Sequence, residues 1–541
     1  MRGIGSKEYT LSSHRIQNAK LMIPSVSSVI SVAKKWRCDR GMLVLIVLFA
    51  LLLPLANPRV AATDEVQYYV YLRSLRFDGD LDFANDYARF NELNPQSGID
   101  ASLLQPNRIR PKTGLYGNIA PIGSAIMWSP FFLLADGLVR VGNMFGAAIP
   151  ADGFSWPYIY SVCYASALYG LLGLLLSYQL ARRYVSVFAA TLASVTIWLS
   201  TPLVWYMFVQ MPFAHATGFF LVALFVTIWE RTRTKHKEQS TKNKEALSSI
   251  KHQAPSIPRR SWRAWLALGV VGGLMTMTRE QLGLMLLIPA VEALIQYGML
   301  LRGRATLRQW MALFDRHVFF LAVFLLTLTP QIAVYQILNG SPRPAGEVSG
   351  KLNWCSPHLI DTLIDYDPRP SAWCNVTNDP TAAFPPFAHG ALVWSPVFAF
   401  AIIGLLLLWR RNQLLCAVFV LALVAQVYVN GAFGTTWHLS GAFGFRRLIE
   451  ATPFFIVGLA LLIDIVPVRW RSWLLIPALL FIAWNAGLVL NASVFNAQTH
   501  LRQEGMRWPD LWAWQLELPR KIVVQAENIV FNRCRFMKNG C

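Results

Sequence analysis

The stretch GMLVLIVLFALLLPLANP at residues 41–58, followed by DEVQYYVYLRSLRFDGDLDFANDY at residues 64–87, contains the two features that organise this chain. The first segment is apolar and close to membrane-spanning length, and similar runs recur along the 541 residues. The second segment is acidic, because eight of the 29 acidic residues lie between positions 64 and 100. The sequence therefore predicts a carboxylate-rich segment that begins where the chain leaves a membrane.

The composition indicates an integral membrane protein. Hydrophobic residues make up 55% of the chain, charged residues make up only 14%, and the mean hydropathy is +0.39. We therefore expect an all-α polytopic bundle of about 11 transmembrane helices. The net charge of +20 suits cytoplasmic loops that face anionic membrane lipid better than it suits nucleic acid, which is excluded as a partner.

The apolar segment 119–139 decides the topology. If it crossed the membrane, the basic segment 231–263 would lie outside, against the positive-inside bias. We therefore interpret 119–139 as interfacial or re-entrant, which makes 59–155 one large external loop. The other predicted spans are 156–181, 186–203, 206–230, 264–279, 281–301, 318–338, 391–409, 414–429, 449–467 and 472–494.

This topology divides the chain into three parts. A basic cytoplasmic tail, 1–40, precedes a transmembrane domain, 41–494, and an interfacial C-terminal tail, 495–541, lies outside. Within the transmembrane domain, 231–263 is a basic cytoplasmic loop and 339–389 is an external loop. Cys355 and Cys374 lie in that external loop, either joined as a disulfide or as two thiols.

Charged side chains at the ends of spans indicate a functional site. They are Asp64 with Glu65, Arg279 with Glu280, and Arg446 with Arg447 before Glu450. A carboxylate opposite arginines suits sugar transfer from a lipid-linked phosphate, because the carboxylate accepts the proton of a hydroxyl and the guanidinium groups bind the leaving phosphate. Alternatively, the two acids only start a helix behind an N-cap at Thr63, and the arginines reach lipid headgroups.

Four further positions are weaker candidates. His215 either lines the cavity or is an ordinary helix histidine. Asp80 and Asp82 have the D-x-D form of soluble nucleotide-sugar transferases, but no alternation of strands and helices surrounds them, so we reject that interpretation. These acids and Asp86 either order the loop or hold the metal of a substrate. No metal ligands are assigned, and a divalent metal is left open as a cofactor.

Several motifs resemble those of one family. They are the pair Asp64-Glu65, the segment Ser74 to Tyr87, Pro121-Ile-Gly, Trp128-Ser-Pro, His389 to Pro396, and Phe443-Gly-Phe-Arg446 followed by Pro453. Over residues 42–465 the chain resembles bacterial membrane glycosyltransferases of the GT-C superfamily, the group similar to protein mannosyltransferases and the aminoarabinose transferase of lipid A.

This resemblance implies a fold and a set of functional residues. It implies juxtamembrane helices in the first external loop, a polyprenyl-phosphate-linked sugar donor and inversion at the anomeric carbon. Asp64 would be the catalytic base with Glu65 beside it, and Arg279 and Arg446 would contact the donor phosphate. Lys112 and Tyr116 would reach the same cavity, and Asp86 and His215 are further candidates for substrate binding.

The expected activity is transfer of a monosaccharide to an acceptor glycolipid, glycan or protein, on the external face of the inner membrane. One alternative is a polysaccharide polymerase or ligase that uses pyrophosphate-linked oligosaccharides. A transporter or lipid-linked-sugar flippase is the alternative of another class. A transporter should show matched halves with charges at mid-bilayer, whereas here the charges gather in one loop.

Overall fold

The computed structural model describes residues 39–246, 260–303, 305–346, 352–355, 357–364, 390–433, 439, 441–493, 495 and 508–532. Within these residues the regular elements are all helical, and the only extended pairings are isolated bridges between Ile109 and Tyr116 and between Leu352 and Phe433. The all-α prediction is therefore confirmed.

Sixteen helices, numbered α1 to α16 in chain order, make up most of the described fold. They are Arg40–Leu52, Thr63–Arg73, Ala84–Leu93, Gly123–Met144, Trp156–Ala181, Val187–Leu199, Ala214–Ala246, Trp262–Thr278, Leu287–Arg302, Leu307–Thr327, Thr329–Asn339, Val397–Leu407, Gln413–Gly431, Thr452–Asp464, Leu475–Ser493 and Trp508–Phe531. Shorter helices lie at Ile99–Leu103, Leu203–Phe208, Leu359–Ile364 and Ala391–Trp394. Single 3₁₀ segments include Glu280–Leu286, Arg446–Ala451 and Val468–Leu474.

Six of the described helices are long and apolar enough to cross a membrane. They are α4, α5, α10, α13, and the continuous helices Glu280–Arg302 and Val468–Ser493, which contain α9 and α15. Shorter apolar helices occupy Arg40–Leu55, Val187–Leu199 and Val397–Arg410. The chain is therefore a multi-pass membrane protein, and each predicted span coincides with a helix or a pair of helices.

Three predicted spans, 206–230, 318–338 and 391–409, are each formed by more than one α-helix. The span 318–338 is a pair of helices, α10 and α11, that meet at Leu328 just before Pro330. A proline is tolerated in the first turn of a helix but removes an amide donor, which explains the break at this position. The span 206–230 is also interrupted, because α7 begins only at Ala214 and then continues to Ala246.

The large core of the bundle is formed by α5, α7, α12 and α14 with their neighbours. Helices α12 and α14 approach closely where Gly404 faces Gly458. A Cβ atom at either glycine would collide with the backbone of the other helix. Small residues at such a crossing are the usual means of close helix packing in membranes.

The segment 59–155 builds a second core, which is rich in aromatic residues. Tyr69 packs edge-on against Phe90 and Phe132, and Trp128 is fully buried beside them. Helix α2 is buried on nearly all sides in this core. Leu75, just after the end of α2, is exposed.

Helix α4 has the composition of a span, and it packs against α5 as well as against α2 and α8. Asp136, near its C-terminal end, pairs with Arg76 at 2.6 Å and accepts a hydrogen bond from Tyr158 at 2.8 Å. In the following connection, the carbonyl of Gly153 accepts a hydrogen bond from Tyr69 at 2.6 Å. These contacts join α4 to the turn after α2 and to α5, and they join the connection to α2. The interfacial or re-entrant placement of 119–139 stays a prediction.

The opposite end of the bundle has its own polar cluster. Asp39, just before α1, lies 2.6 Å from the hydroxyl of Tyr178 and 3.3 Å from Arg182, near the C-terminal end of α5. At the other end of α1, the carbonyl of Arg59 faces Cys163, which is earlier in α5. Helices α1 and α5 are therefore antiparallel neighbours, and α4 lies at the Arg59 end of this pair.

The C-terminal helix α16 packs lengthwise against α15. Gln515 donates to the carbonyl of Trp484 at 2.7 Å, and Asn491 donates to that of Trp514 at 3.2 Å. Leu511 is fully buried between the two helices. The placement of 495–541 as an external interfacial tail stays a prediction.

Several predictions concern residues outside the described ranges. They are nearly all of the tail 1–40, residues 247–259 of the basic loop, most of 339–389, Cys374 and His389. Cys355 is disulfide-bonded, and its predicted partner Cys374 is among the residues that are not described.

The predicted interfacial placement of α4 has a testable consequence for topology. If α4 adds no crossing, an epitope tag inserted at 95–110 should be external and one at 247–259 cytoplasmic. Protease protection in intact cells and in inverted vesicles measures both positions. Tags on the same side of the membrane would contradict this placement of α4.

Candidate active site at the start of α2

Helix α2 begins with two adjacent acids that have different surroundings. The N-cap of the helix is Ala62, which makes Glu65 its third residue. The Oε2 atom of Glu65 turns back and accepts hydrogen bonds from the amides of Ala61 at 2.6 Å and Ala62 at 2.8 Å. Because these amides have no intrahelical partners, the buried Glu65 serves as the helix cap.

Asp64 points away from this cap and forms an ion pair with an arginine that is distant in sequence. Its Oδ2 atom lies 2.8 Å from Nη2 of Arg446, in the 3₁₀ segment before α14. The Asp64 side chain is 38% exposed and that of Arg446 is 22% exposed. The Oδ1 atom of Asp64 accepts no hydrogen bond from the described residues and remains accessible to a ligand.

A second, more buried ion pair lies close by. Arg279, directly after α8, places Nη1 2.8 Å from Oε1 of Glu450, and the Glu450 side chain is only 1% exposed. His215, at the start of α7, places Nδ1 3.0 Å from the same oxygen and 2.6 Å from Nη1 of Arg279. Three distant segments of the chain therefore meet at one carboxylate.

Aromatic side chains connect the two ion pairs. The guanidinium of Arg446 lies 5.1 Å above the ring of Phe213, which stacks against His215. Tyr68, one helical turn after Asp64, packs against Phe213 and Trp128 with ring centroids 6.4 Å apart in both cases. The charges of Asp64, Arg279, Arg446 and Glu450 all act on the hydroxyl of Tyr68.

Positive charge exceeds negative charge in this cluster. Three arginines, Arg279, Arg446 and Arg447, face two carboxylates, Asp64 and Glu450, which leaves a formal surplus of one positive charge. Burial, and then repulsion from Arg279 and Arg446, lowers the pKa of Arg447 well below its usual range. For Arg446 burial also opposes the charge, but the neighbouring Asp64 outweighs it and raises the pKa. An anionic ligand would relieve this repulsion.

Four of the predicted site residues therefore lie together: Asp64, Arg446, Arg279 and His215. Glu65 does not point into this cluster, because its buried carboxylate is hydrogen-bonded to the backbone amides at the start of its own helix. Its position explains the alternative interpretation of Asp64 and Glu65 as helix-starting acids. Both acids lie in the first turn of α2, but only Glu65 caps the helix, and Thr63 is the first helical residue rather than the cap.

The remaining predicted residues have other surroundings. Lys112 is exposed and lies against Gly340, and the hydroxyl of Tyr116 donates to the carbonyl of Leu104 at 3.4 Å. Asp86 is fully buried 3.4 Å from Arg73, and burial raises the pKa of its carboxyl to about 7. None of these three contacts the Asp64 cluster through a described hydrogen bond or ion pair.

The acids of the D-x-D segment order the loop. The Oδ1 atom of Asp80 accepts hydrogen bonds from the hydroxyl of Ser74 at 2.9 Å and from the amide of Asp82 at 3.1 Å. Asp82 in turn accepts from the amide of Ala84 at 3.2 Å. Among the described residues no group of three or more His, Cys, Asp or Glu side chains is arranged to hold a metal ion.

Glu450, Arg447 and Tyr68 also belong to the cluster. Arg447 and Glu450 were named among the charged residues at the span ends without an assigned role, and Tyr68 was given no role. Glu450 had a signal in the sequence, because an acid in the apolar segment RRLIEATPFF must have a partner when the segment is buried. Tyr68 had only its position four residues after Asp64, which places both side chains on one face of a helix. The sequence contains no comparable signal for the position of the Arg447 side chain.

The fold and this cluster together define an all-helical, multi-pass membrane protein with a charged site at the start of its first loop. No family model and no curated protein matches the chain. Among solved structures, ArnT from Cupriavidus metallidurans bound to undecaprenyl phosphate is similar, with 12% identity and a TM-score of 0.45, covering 92% of this chain and 77% of that one. The apo state of ArnT gives 13% identity and a TM-score of 0.41, with coverages of 90% and 76%.

A third similar structure is the archaeal oligosaccharyltransferase AglB from Archaeoglobus fulgidus in complex with an inhibitory peptide and a dolichol-phosphate. It is 13% identical with a TM-score of 0.42, and the match covers 86% of this chain and 56% of AglB. Identities and TM-scores this low do not establish what the chain does. Its function must be inferred from its own site.

The buried cap of α2 predicts a pH-dependent stability. Burial raises the pKa of Glu65 from 4.5 to about 7. The folded protein therefore keeps a proton that the unfolded chain releases, so this stabilisation is present at low pH and is lost as the pH rises from about 4.5 to about 7. Its total size is roughly 3 kcal/mol. Glu65→Gln keeps an oxygen acceptor for the two amides and removes the titration.

We expect the melting temperature of Glu65→Gln in detergent to fall less steeply between pH 5 and pH 7 than that of the unmodified protein. The matched control is Glu92→Gln, which alters an exposed acid in the same loop. Parallel melting curves for Glu65→Gln and the unmodified protein would show that Glu65 is ionised throughout this range.

Proposed function

We propose that this protein is a membrane glycosyltransferase of the GT-C type, which moves a monosaccharide from a polyprenyl-phosphate donor to an acceptor glycolipid, glycan or protein. The observation that carries this proposal is the pairing of Asp64 with Arg446 beside Arg279, where the spans meet the segment 59–155. A proton acceptor and two phosphate-binding forks are the groups that this reaction requires.

In the proposed reaction Asp64 accepts the proton of an acceptor hydroxyl. The hydroxyl oxygen forms a bond to the anomeric carbon while the bond from that carbon to the phosphate oxygen breaks. The bonding electron pair leaves with the polyprenyl phosphate, whose charge grows and is stabilised by Arg279 and Arg446. Attack from the side opposite the phosphate inverts the anomeric configuration.

The Asp64–Arg446 ion pair suggests how donor binding prepares the base. In the ion pair the guanidinium of Arg446 occupies the Oδ2 atom of Asp64. A donor phosphate would compete with Asp64 for the guanidinium of Arg446. Donor binding would then release Asp64 for the acceptor hydroxyl, so that the base acts only when the leaving group is in place.

The charge of the cluster favours a monophosphate donor over a pyrophosphate donor. A sugar linked through one phosphodiester has a single negative charge, which matches the surplus of one positive charge among Arg279, Arg446, Arg447, Asp64 and Glu450. A pyrophosphate linkage has about two negative charges and would leave one unmatched in a partly buried site. The charge balance of the site therefore favours monosaccharide transfer over a polymerase or ligase reaction.

The proposed location is the external face of the inner membrane. It depends on the basic segment 231–263, which the positive-inside bias places in the cytoplasm, and on the interfacial placement of α4. The Asp39 and Arg182 cluster would then mark the cytoplasmic side, and the Asp64 site the opposite one. Membrane lipid and a lipid-linked sugar are the expected partners.

Replacement of the proposed base should abolish transfer. In a strain that lacks the gene, one class of surface glycolipid, glycan or glycoprotein should lose a sugar, as measured by mass spectrometry of cell-envelope extracts. Asp64→Asn should restore less than about one hundredth of the modification, because it keeps the shape of the side chain but removes the proton acceptor.

The matched control is Asp100→Asn, an exposed acid in the same loop, which should restore the modification fully. Immunoblots of membranes should show equal amounts of both variants. Full restoration by Asp64→Asn would remove Asp64 from the mechanism, and an unchanged envelope in the deletion strain would argue against glycosyl transfer altogether.

A further inference from the structure

Arg279 occupies an unusually constrained position. Helix α8 ends at Thr278, and Arg279 has an extended backbone with φ −154° and ψ 122° before the next helical segment begins at Glu280. The side chain of Glu280 is hydrogen-bonded to Tyr335 of α11, on a different element from the partners of Arg279. The carbonyl of Gln281 accepts a hydrogen bond from Gln426 of α13 at 2.9 Å. The residues after Arg279 are therefore anchored to two helices.

The side chain of Arg279 is held from the opposite direction. Its Nη1 atom is within hydrogen-bond distance of both Glu450 and His215, whereas among the described residues Nη2 has only a 3.4 Å contact with Gln281. The ring nitrogen of His215 can accept from the guanidinium or donate to Glu450, but not both. With either tautomer, the Glu450 carboxylate fixes the Nη1 side of the guanidinium and leaves the Nη2 side for a ligand.

Glu450 has no second role among the described residues. Its Oε1 atom makes the contacts with Arg279 and His215, and its Oε2 atom has no hydrogen-bond partner in the described part of the chain. Gly218 of α7 lies directly against this side chain, where an added Cβ would be 3.1 Å from Cγ of Glu450. The carboxylate is therefore confined by packing and aimed at the guanidinium.

We propose that Glu450, assisted by His215, is a positioning residue that fixes the guanidinium of Arg279 for a phosphate group. This inference rests on the proposed function, since the phosphate is that of the lipid donor. A guanidinium held in one orientation loses little side-chain entropy when it binds phosphate, so a fixed Arg279 binds the donor more tightly than a free one. Glu450 itself does not touch the substrate.

The decisive variant is Glu450→Gln, which keeps the size of the side chain but replaces the carboxylate by a neutral amide. A less ordered guanidinium should raise the dissociation constant for undecaprenyl phosphate, and the KM for the donor, by about 10-fold to 100-fold. The turnover number should fall as well, because Arg279 also stabilises the charge that grows on the leaving phosphate. Native mass spectrometry of the purified full-length protein with undecaprenyl phosphate measures the binding.

A matched control separates positioning from loss of stability. Glu292 is another buried carboxylate, and it accepts hydrogen bonds from Arg260 at 2.7 Å and Trp229 at 2.8 Å, away from the Asp64 cluster. Glu292→Gln should lower the melting temperature as Glu450→Gln does, because each replaces the buried carboxylate partner of an arginine. It should leave the binding of undecaprenyl phosphate unchanged. If Glu450→Gln does not fold, His215→Asn tests the same guanidinium contact and should also weaken binding.

Two failures can be distinguished. If the unmodified protein transfers sugar and binds undecaprenyl phosphate, but Glu450→Gln or its substitute His215→Asn binds as tightly, the positioning role of Glu450 is wrong and the proposed function stands. If the unmodified protein binds no undecaprenyl phosphate, the proposed function itself fails. Equal loss of binding in Glu450→Gln and Glu292→Gln would show a general effect of stability and would also overturn the inference.

Discussion

The ion pair between Arg279 and Glu450 is the constraint on which the site depends. A carboxylate buried as deeply as Glu450 is unstable without a positive partner, and removal of one partner from such a pair usually costs several kcal/mol. Arg279 follows α8, Glu450 precedes α14, and His215 begins α7. The need to neutralise one buried charge therefore holds three helices at a common point.

The second ion pair, between Asp64 and Arg446, depends on the first. Arg446 lies four residues before Glu450 in the same 3₁₀ segment, so its position follows from that of Glu450. Asp64 reaches it because Glu65 caps α2 and directs the start of the helix toward this segment. The partly exposed Asp64–Arg446 pair therefore lies beside the buried Glu450–Arg279 pair. A ligand phosphate could replace Asp64 as the partner of Arg446 while the buried pair keeps its geometry.

Much of this site could be predicted because charge is costly in an apolar chain. Asp64, Arg279 and Arg446 were identified from their places at the ends of apolar runs, and the structure brings them together. The role of Glu65 could not be assigned, since a shift of the N-cap from Thr63 to Ala62 decides which acid turns back. Lys112 and Tyr116 make no described hydrogen bond or ion pair with this cluster, and the turn that pairs Ile109 with Tyr116 has no clear pattern in the sequence.

The central claim is that Arg279 and Arg446 together bind the phosphate of a polyprenyl donor beside Asp64. A structure of the protein determined by electron cryomicroscopy with undecaprenyl phosphate tests it most directly. We expect phosphate density within hydrogen-bond distance of both guanidinium groups, with Arg446 moved away from the Asp64 carboxylate. Phosphate density at the opposite end of the bundle, beside Arg182, or at Lys112 with the Asp64–Arg446 pair intact, would contradict this account.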